Sequence, residues 1–546
     1  MATSSQLPHP PRRIWRFRPV DENWARKLMT DFGLTSLAAR LLSVRDLKTT
    51  ESIQQFLEPA LAQIHDPMLM KDMDRAVERI ALAMEAGEKI AIYGDYDVDG
   101  LTATALLSRT FKWLGEDVLK CIPHRLDEGY GMSCMGVENL ANRGAQLIIT
   151  VDNGISCIKE VERARELGID VVVTDHHQPE DRLPDAVAVV NPNRQDCNYP
   201  CKFLSGCGVA FKLAHALSRR LGKSPEEAKP FLKSLLDLVA LGTIADVMPL
   251  LGENRILALH GLAFLKDTDK PGLKAMADLL GLEDKPYNAE TVGFRFGPRL
   301  NAAGRTGNAC DALELLLTED RDRARCLANH LDKLNQERRD LESEVLKDAF
   351  QRIEDNPELL DAPILVIAGE SWHQGVVGIV ASRLLDRFGK PTIVLSIEEG
   401  EAKGSARSIA TFNMLGALTA CDHLLTEYGG HKMAAGVTLP AENISDLRHC
   451  LARNAKVLED RGELAPCLEL DTAALAEEIT FELMRDLERL RPFGQENPSP
   501  LIALERCRLV GEAFEIGGKH LKLRIQSGET SDQCLTAMWF HYPEPH

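Results

Sequence analysis

Three carboxylates stand at every second position in the stretch KIAIYGDYDVDG: Asp95, Asp97 and Asp99, followed by Gly100. Acids crowded this closely repel one another, and a bound cation offsets that repulsion. A calcium loop also begins Asp-x-Asp-x-Asp-Gly, but it needs a glutamate at its twelfth position. Counted from Asp95, that position is Leu106. The plain alternative for this stretch alone is a solvated acidic loop. Two later stretches weigh against it. The apolar run Leu147 to Val151 ends in Asp152, Asn153 and Gly154, and Val171 to Val173 ends in Thr174, Asp175, His176 and His177. Carboxylate and imidazole together suit Mn²⁺, with Mg²⁺ accepted where oxygen ligands dominate.

The elements that must position these residues can be read from the pattern. Ile90 to Tyr93 reads as a short buried strand, and LTATALLSRTFKWL after Gly100 as a helix. SCIKEVERARELG is a second helix, between the second and third strand runs. Alternating strands and helices predict a parallel sheet, whose C-terminal strand ends share one edge where ligands bind. Ala186 to Val190 is a further strand, closed by Asn191-Pro192-Asn193. A long helix over FLKSLLDLVALGTIADVMPL brings Asp246 near its C-terminal end. A carboxylate is unfavourable there unless a cation is near, so Asp246 is a further candidate ligand; the alternative is a surface acid.

The whole chain sets limits. Its 546 residues suggest three or four domains. Hydrophobic residues make up 44% and charged residues 27%, an ordinary soluble composition. A net charge of −18 argues against a general polyanion-binding surface, so any nucleic-acid contact must be a local groove. Thirteen scattered cysteines without a leader pattern read as reduced, cytoplasmic thiols. Cys197, Cys201 and Cys207 lack the paired spacing of a zinc site and read as core or loop thiols. No apolar run reaches the ~18 residues that span a bilayer, so no membrane is expected.

Residues 1 to about 20 read as a flexible basic arm, in which Arg12, Arg13, Arg16 and Arg18 are either phosphate contacts or a solvated tail. TVGFRFGPRLNAAGR, at 291 to 305, places Arg299 and Arg305 on either side of a Gly- and Asn-rich turn. Guanidinium forks suit phosphate, and salt bridges to the abundant acids are the alternative. Residues 311 to 354, with an apolar stripe of Leu327, Leu331, Leu334, Leu341 and Val345, read as one long half-exposed helix joining two domains. A second α/β domain begins at Ala362. Its turn at Ser371, His373 and Gly375, and two Gly-rich stretches with Arg407, Gly430, His431 and Lys432, read as an anion cradle of exposed N–H groups and positive side chains. The last stretch, about 466 to 546, shows RPFGQENPSP as a loop and then short β-like runs, which read as a small barrel left incomplete by the end of the chain soon after Phe540.

Seven motifs, DYDVDG (95–100), VDNG (151–154), DHH (175–177), ADVMPL (245–250), GPRLNAAGR (297–305), WHQGVVGIVASRL (372–384) and GGHKMAAG (429–436), occur in one order. In these the chain resembles the RecJ exonucleases of the DHH phosphoesterase superfamily; Val98 stands where that family more often has alanine. The resemblance implies an α/β fold with an N-terminal arm and helices (1–60), a parallel-sheet DHH domain (61–310), a connecting helix (311–356), a DHH-associated domain (357–465) and an OB-like barrel (466–546). It implies 5′→3′ hydrolysis of single-stranded DNA to nucleoside 5′-monophosphates in DNA repair and recombination. Two ions, Mn²⁺ or Mg²⁺, held about 3.5–4 Å apart, are the arrangement that supports in-line phosphodiester cleavage. Asp97, Asp99, Asp152, Asp175, His176 and Asp246 are then the metal set, with Asp95 at its edge and Asp152 as the bridge. Asp95, Asp152, His176 and His177 are the catalytic group. A single-strand-binding protein and a helicase are expected partners of a monomeric, cytoplasmic enzyme. The alternatives are another DHH phosphodiesterase, acting on short RNA, pyrophosphate or cyclic dinucleotides, and a non-catalytic replication scaffold. Length and the C-terminal stretch weigh against the first, and the full set of acids against the second.

Overall fold

The computed structural model describes residues 14–124, 131–460, 464, 467–527, 534–540 and 542. Arg12 and Arg13 lie outside them. Among the described residues one compact unit comprises 15–297, 316–319 and the stretch from 469 onward; the other comprises Ile14, 298–315 and 320–468.

The first unit is built on a five-stranded sheet. Its strands are β1 (Ile90–Tyr93), β2 (Leu119–Cys121), β3 (Leu147–Val151), β4 (Asp170–Thr174) and β5 (Ala188–Val190), all parallel in the order β2-β1-β3-β4-β5. Every residue of β1 and β3 is buried, as expected for a parallel sheet covered on both faces. Helix α1 (Val98–Leu114) follows β1, and α2 (Ile158–Glu166) connects β3 to β4. Strand order reverses between β1 and β3, and in such sheets the crevice outside the strand ends at this switch point is the ligand site.

Helix α3 (Gly206–Arg220) and two further helices complete the site's scaffold. The stretch expected to be one helix is two, α4 (Pro225–Ser234) and α5 (Leu236–Ala245). α4 is amphipathic, with Ala228 and Leu232 inward, whereas nine of the ten residues of α5 are buried apolar, polar or acidic groups in the middle of the unit, so the two part at Leu235. Asp246 caps the end of α5.

The expected turn at 291–305 is helical: a π-helical turn at Val292–Phe296 runs into α6 (Gly297–Thr306). Val292, Phe296, Leu300 and Ala303 are buried at helical spacing, a stripe that the intervening glycines and asparagine disguised. The helices Glu22–Phe32, Ser36–Ser43 and Thr50–Leu57 share one core with Ala474, Leu483 and Leu490 from the other end of the chain. Arg16 lies in the strand Ile14–Phe17, and Arg18 pairs with Glu469.

The second unit holds the long helix α7 (Arg321–Asp355), 35 residues and about 52 Å long at 1.5 Å per residue. It starts later than expected, at the Asp320 cap, after a separate helix Ala309–Leu317. Its sheet has the order β9-β10-β8-β7-β6, from β6 (Leu365–Glu370), β7 (Thr392–Glu398), β8 (Glu401–Arg407), β9 (Glu427–Gly430) and β10 (Ala434–Pro440). Only β6 and β7 are parallel, with α8 (Gln374–Phe388) between them. The two Gly-rich stretches expected as exposed turns are therefore largely strand. Gly404 is needed inside β8 because a Cβ there would lie 1.9 Å from the Val394 carbonyl oxygen. Cys421 and Cys450 form a disulfide, which departs from the expectation of thiols throughout; Cys197 and Cys207 are free and buried, and Cys201 is free and half-buried.

In the C-terminal stretch β13 (His520–Ser527) is the central strand of an open four-stranded sheet; β11 (Cys507–Leu509) and β12 (Phe514–Ile516) pair with one edge of it and β14 (Cys534–Phe540) with the other. The described residues show no closed barrel. No helix among them is long and apolar enough to cross a membrane.

Candidate metal centre

The acids gather where β1, β3 and β4 end. Asp97 caps α1 by accepting from the Gly100 N–H at 3.1 Å. That puts Asp99 in the first turn, buried and turned toward α3, whose first two N–H groups, from Gly206 and Cys207, donate to its two oxygens at 2.6 and 3.0 Å. These are otherwise orphaned helix-start donors, and they favour the ionised form. Asp152 sits at φ +63, a conformation costly for a residue with a side chain. The turn is held by Asn153, which donates to the Tyr93 and Val151 carbonyls, and by Thr150, whose hydroxyl donates to the Asn153 carbonyl. A Cβ on Gly206 would lie 2.4 Å from the Asp152 Cβ, and one on Gly242 would lie 2.3 Å from an Asp99 oxygen. The helices thus approach the acids as closely as backbone allows.

His176 Nε2 lies 3.1 Å from Asp152, 3.5 Å from Asp246 and 3.9 Å from Asp99. This nitrogen is buried and makes no hydrogen bond. Burial, then repulsion by His177, lowers the pKa of the ring to about 4, while a backbone hydrogen bond to Leu204 acts the other way. The ring is neutral, its other nitrogen is held by backbone, and Nε2 keeps a lone pair aimed among carboxylates. A cation is the partner that suits such an atom.

Three overlapping groups have ligand atoms within 4.8 Å of one another: Asp95, Asp97 and Asp152; Asp152, His176 and His177; Asp99, His176 and Asp246. Asp152 and His176 each belong to two of them, as two ions sharing ligands would require. Burial first, and neighbouring acids second, push Asp95 up to about 8, Asp99 to about 7, Asp246 to about 8, and Asp152 well above the carboxylate range.

Asp175 behaves differently. Burial would raise it, but His177 and backbone donors hold it below the usual range. One oxygen accepts from Ile155 N at 2.9 Å, and the other faces the N–H groups of His176 and His177 and the His177 ring at 2.7 Å. Its oxygens are engaged in positioning. Burial would lower His177, but Asp175 overrides it and raises the imidazole to about 9. Asn191 and Asn193 donate to the His177 and His176 carbonyls. Sequence reasoning read these asparagines only as a strand stop, although Asn-Pro-Asn at a strand end beside the cluster carried the signal. Gly206, Cys207 and Gly242 left no such trace, since their part is backbone donation and close approach.

In the second unit Ser371 has φ +57, and His373 caps α8 by accepting from Gly375 N at 3.0 Å. Arg305 donates to the Gly375 carbonyl at 3.0 Å. Arg407 donates to Ser405 Oγ and the Ala406 carbonyl, and its guanidinium lies 3.0 Å from where a Gly378 Cβ would be. These residues share one helix start. Gly430, His431 and Lys432 form the hairpin tip between β9 and β10, beyond the Arg407 end of β8. Arg299 pairs with Asp332 on α7 at 2.9 Å.

The family model for the DHH family N-terminal domain matches residues 89–243, the DHHA1 domain matches 361–456, and the RecJ OB domain matches 470–546. The single-stranded-DNA-specific exonuclease RecJ of Bacillus subtilis (strain 168) is 43% identical over 525 residues, 95% of this chain and 65% of that protein. The protein of that name from Salmonella typhimurium is 38% identical over 530 residues, 94% of this chain and 90% of its own length. The crystal structure of RecJ in complex with Mn²⁺ from Thermus thermophilus matches with a TM-score of 0.77 at 30% identity, covering 98% of this chain and 80% of that one. The corresponding Mg²⁺ complex gives 0.71 at 30% identity, covering 97% and 79%.

Proposed function

The chain belongs to the RecJ family of single-stranded-DNA-specific exonucleases, and from that premise we propose that it degrades single-stranded DNA from the 5′ end to nucleoside 5′-monophosphates at the carboxylate–imidazole cluster. The observation that carries this reading is His176 Nε2, buried, neutral and ringed by Asp99, Asp152 and Asp246. Divalent cations, Mn²⁺ or Mg²⁺, supply Lewis-acid chemistry when bound: they acidify water and neutralise phosphoryl charge.

Asp95, Asp97, Asp99, Asp152, His176 and Asp246 would hold such ions, Asp152 being common to two of the ligand groups. α3 fixes Asp99 through two N–H groups, so that its oxygens cannot swing away. Asp175 holds the His177 ring at 2.7 Å, so the imidazole is positioned to contact the phosphate or an ion. Ser371, His373, Gly375, Arg305 and Arg407, with Gly430, His431 and Lys432 nearby, form the anion site that takes the terminal 5′ phosphate and sets direction. Arg299 is assigned to α7 through Asp332. The enzyme acts in the cytoplasm as a monomer in DNA repair and recombination, on strands that a helicase exposes and a single-strand-binding protein covers.

The test uses single- and double-stranded DNA labelled at either end, with Mn²⁺, Mg²⁺ or chelator. Mononucleotide release from the 5′ end of single strands, lost with chelator, is expected. Release from the 3′ end, or activity that survives chelation, would defeat the reading. For the anion site, Arg407→Ala should slow cleavage of a 5′-phosphorylated strand more than that of a 5′-hydroxyl strand, by roughly 1.5–3 kcal/mol, the range for hydrogen bonds to charged groups. Equal losses on both strands would reduce Arg407 to support of β8.

A further inference from the structure

Three segments of the first unit line an open pocket of about 660 Å³, and two of its lining residues, Ala245 and Val247, are the chain neighbours of Asp246. The first wall is the end of α5 with the residues immediately after it: Ala245 and Val247 both line the cavity, and Asp246 stands between them. Val247 has φ +55, rare for a β-branched residue, and is 63% exposed. The second wall is the π-helical turn, from which Phe294 projects with 71% of its surface exposed. π-turns recur at functional sites. The third wall is the loop 491–499, carrying Phe493 with the Arg491 guanidinium 5.4 Å from its ring centroid.

The third wall is held rigidly. Buried Asn497 donates to the Leu490 and Pro492 carbonyls and accepts from Arg45, which also donates to the Pro498 carbonyl. Leu250 N donates to the Gln495 carbonyl at 2.9 Å, and a Cβ on Gly494 would lie 2.6 Å from Leu250. The π-helical turn thus presents the Phe294 ring to solvent, while Phe493 lies half-buried across the pocket beneath the Arg491 guanidinium. Arg491 is the sole cation among the lining residues and Glu290 the sole acid, so the lining does not match a run of phosphates. Aromatic faces with little charge match a flat, apolar-faced ligand, and unpaired bases stack on such side chains irrespective of sequence.

We propose that this cavity takes up an unpaired nucleobase of the substrate strand next to the ion cluster, stacked on Phe294. The proposal rests on the strand-degrading reading above and adds to it a base-reading surface on the ion-binding unit itself. It also supplies a physical source of strand selectivity, since a base paired in a duplex cannot leave its stack to enter.

The test compares wild type with Phe294→Ala, Phe294→Leu and Phe294→Trp, each with Mn²⁺, on oligodeoxythymidylate strands carrying one abasic position at successive distances from the 5′ end. Wild type should show one position at which the missing base raises KM by roughly 5–150-fold, the span of single base–aromatic stacks. Phe294→Ala and Phe294→Leu should show the same rise on the intact strand and no further rise at that position, while Phe294→Trp keeps the wild-type KM. Because Phe294 is mostly exposed, melting temperatures should not change. In metal-free Phe294→Trp, binding of the intact strand should quench the new indole more than binding of the strand abasic at that position. A wild-type KM for Phe294→Ala, an abasic penalty unchanged in that variant, or equal quenching by both strands would overturn the proposal. Absence of any strand degradation by wild type would instead overturn the reading of function.

Discussion

At the scale of the residue, the site separates groups that can hold a cation from groups that aim them. Asp152 belongs to two ligand groups, whereas the Asp175 oxygens are engaged by Ile155, His176 and His177. Asp152→Ala should therefore lower turnover by more than about 100-fold, beyond the roughly 10–100-fold typical of groups that only orient a ligand, while Asp175→Asn should fall inside that range. Single-turnover rates at saturating Mn²⁺ check both, and equal losses would erase the distinction. The same acids make a pH prediction. Burial and mutual repulsion raise Asp95, Asp99 and Asp246 to about 7–8 in the folded chain. A raised carboxylate stabilises the fold fully below its unfolded pKa of about 4, and that contribution is lost as pH rises through 7–8. His177, raised to about 9, loses its contribution over the upper part of the same climb. The metal-free protein should melt lower at pH 8.5 than at pH 6.5, and Asp152→Ala, which relieves repulsion, should melt level with or above wild type at pH 8.5. Mn²⁺ should flatten the wild-type dependence. A metal-free melting curve that rises with pH would contradict the sign.

At the scale of the element, the cluster depends on how near helices come to strand ends. Parallel order β2-β1-β3-β4-β5 brings Asp95, Asp152 and Asp175 to one edge from positions up to 80 residues apart in sequence. α3 and α5 then close on that edge through glycine. Gly206→Ala would drive a methyl group into Asp152, whereas at Gly208, two residues along the same helix, a Cβ meets only ordinary contacts at 3.4 Å and beyond. Gly206→Ala should weaken Mn²⁺ binding by about tenfold or more, the lower bound for disturbing a ligand's support. Gly208→Ala should leave it unchanged. Calorimetric titration reads both, and equal affinities in the two variants would show that α3 yields without disturbing the acid.

At the scale of the whole molecule, the net charge of −18 restricts how DNA can be held. The acids of the ion cluster account for part of that charge, and the cations proposed to meet phosphate are few: Arg305 and Arg407 at one helix start, and Lys432 at one hairpin tip. Binding should weaken with salt, with a slope of log K against log[salt] of magnitude about 3–5, as for a few phosphate contacts. Fluorescence anisotropy across a salt series measures it. A slope near zero would remove polyanion binding from the account, and a much steeper one would require a broad basic surface that the composition does not provide.

The sequence by itself determined the parallel sheet, the strand-end location of the acids and histidines, and the family. These are legible because β1, β3 and β4 are short, largely apolar runs that stop at chemistry-bearing residues, and period and composition are local properties. It misjudged 291–305 because glycine and asparagine imitate a turn while Val292, Phe296, Leu300 and Ala303 keep a buried helical stripe. It misjudged Gly404, which reads as a loop residue until the Val394 carbonyl is seen 1.9 Å from where its Cβ would be. Tertiary structure alone decided that the Asp175 oxygens are engaged by Ile155, His176 and His177, that backbone N–H groups of α3 hold Asp99, that the first helices share a core with residues 474–490, and that Phe294 is exposed over a pocket that Ala245 and Val247 also line. Each of these depends on which groups far apart in the chain come within hydrogen-bond or van der Waals distance. No local pattern of residue types records that, because backbone donors and glycine contacts have no side-chain signature.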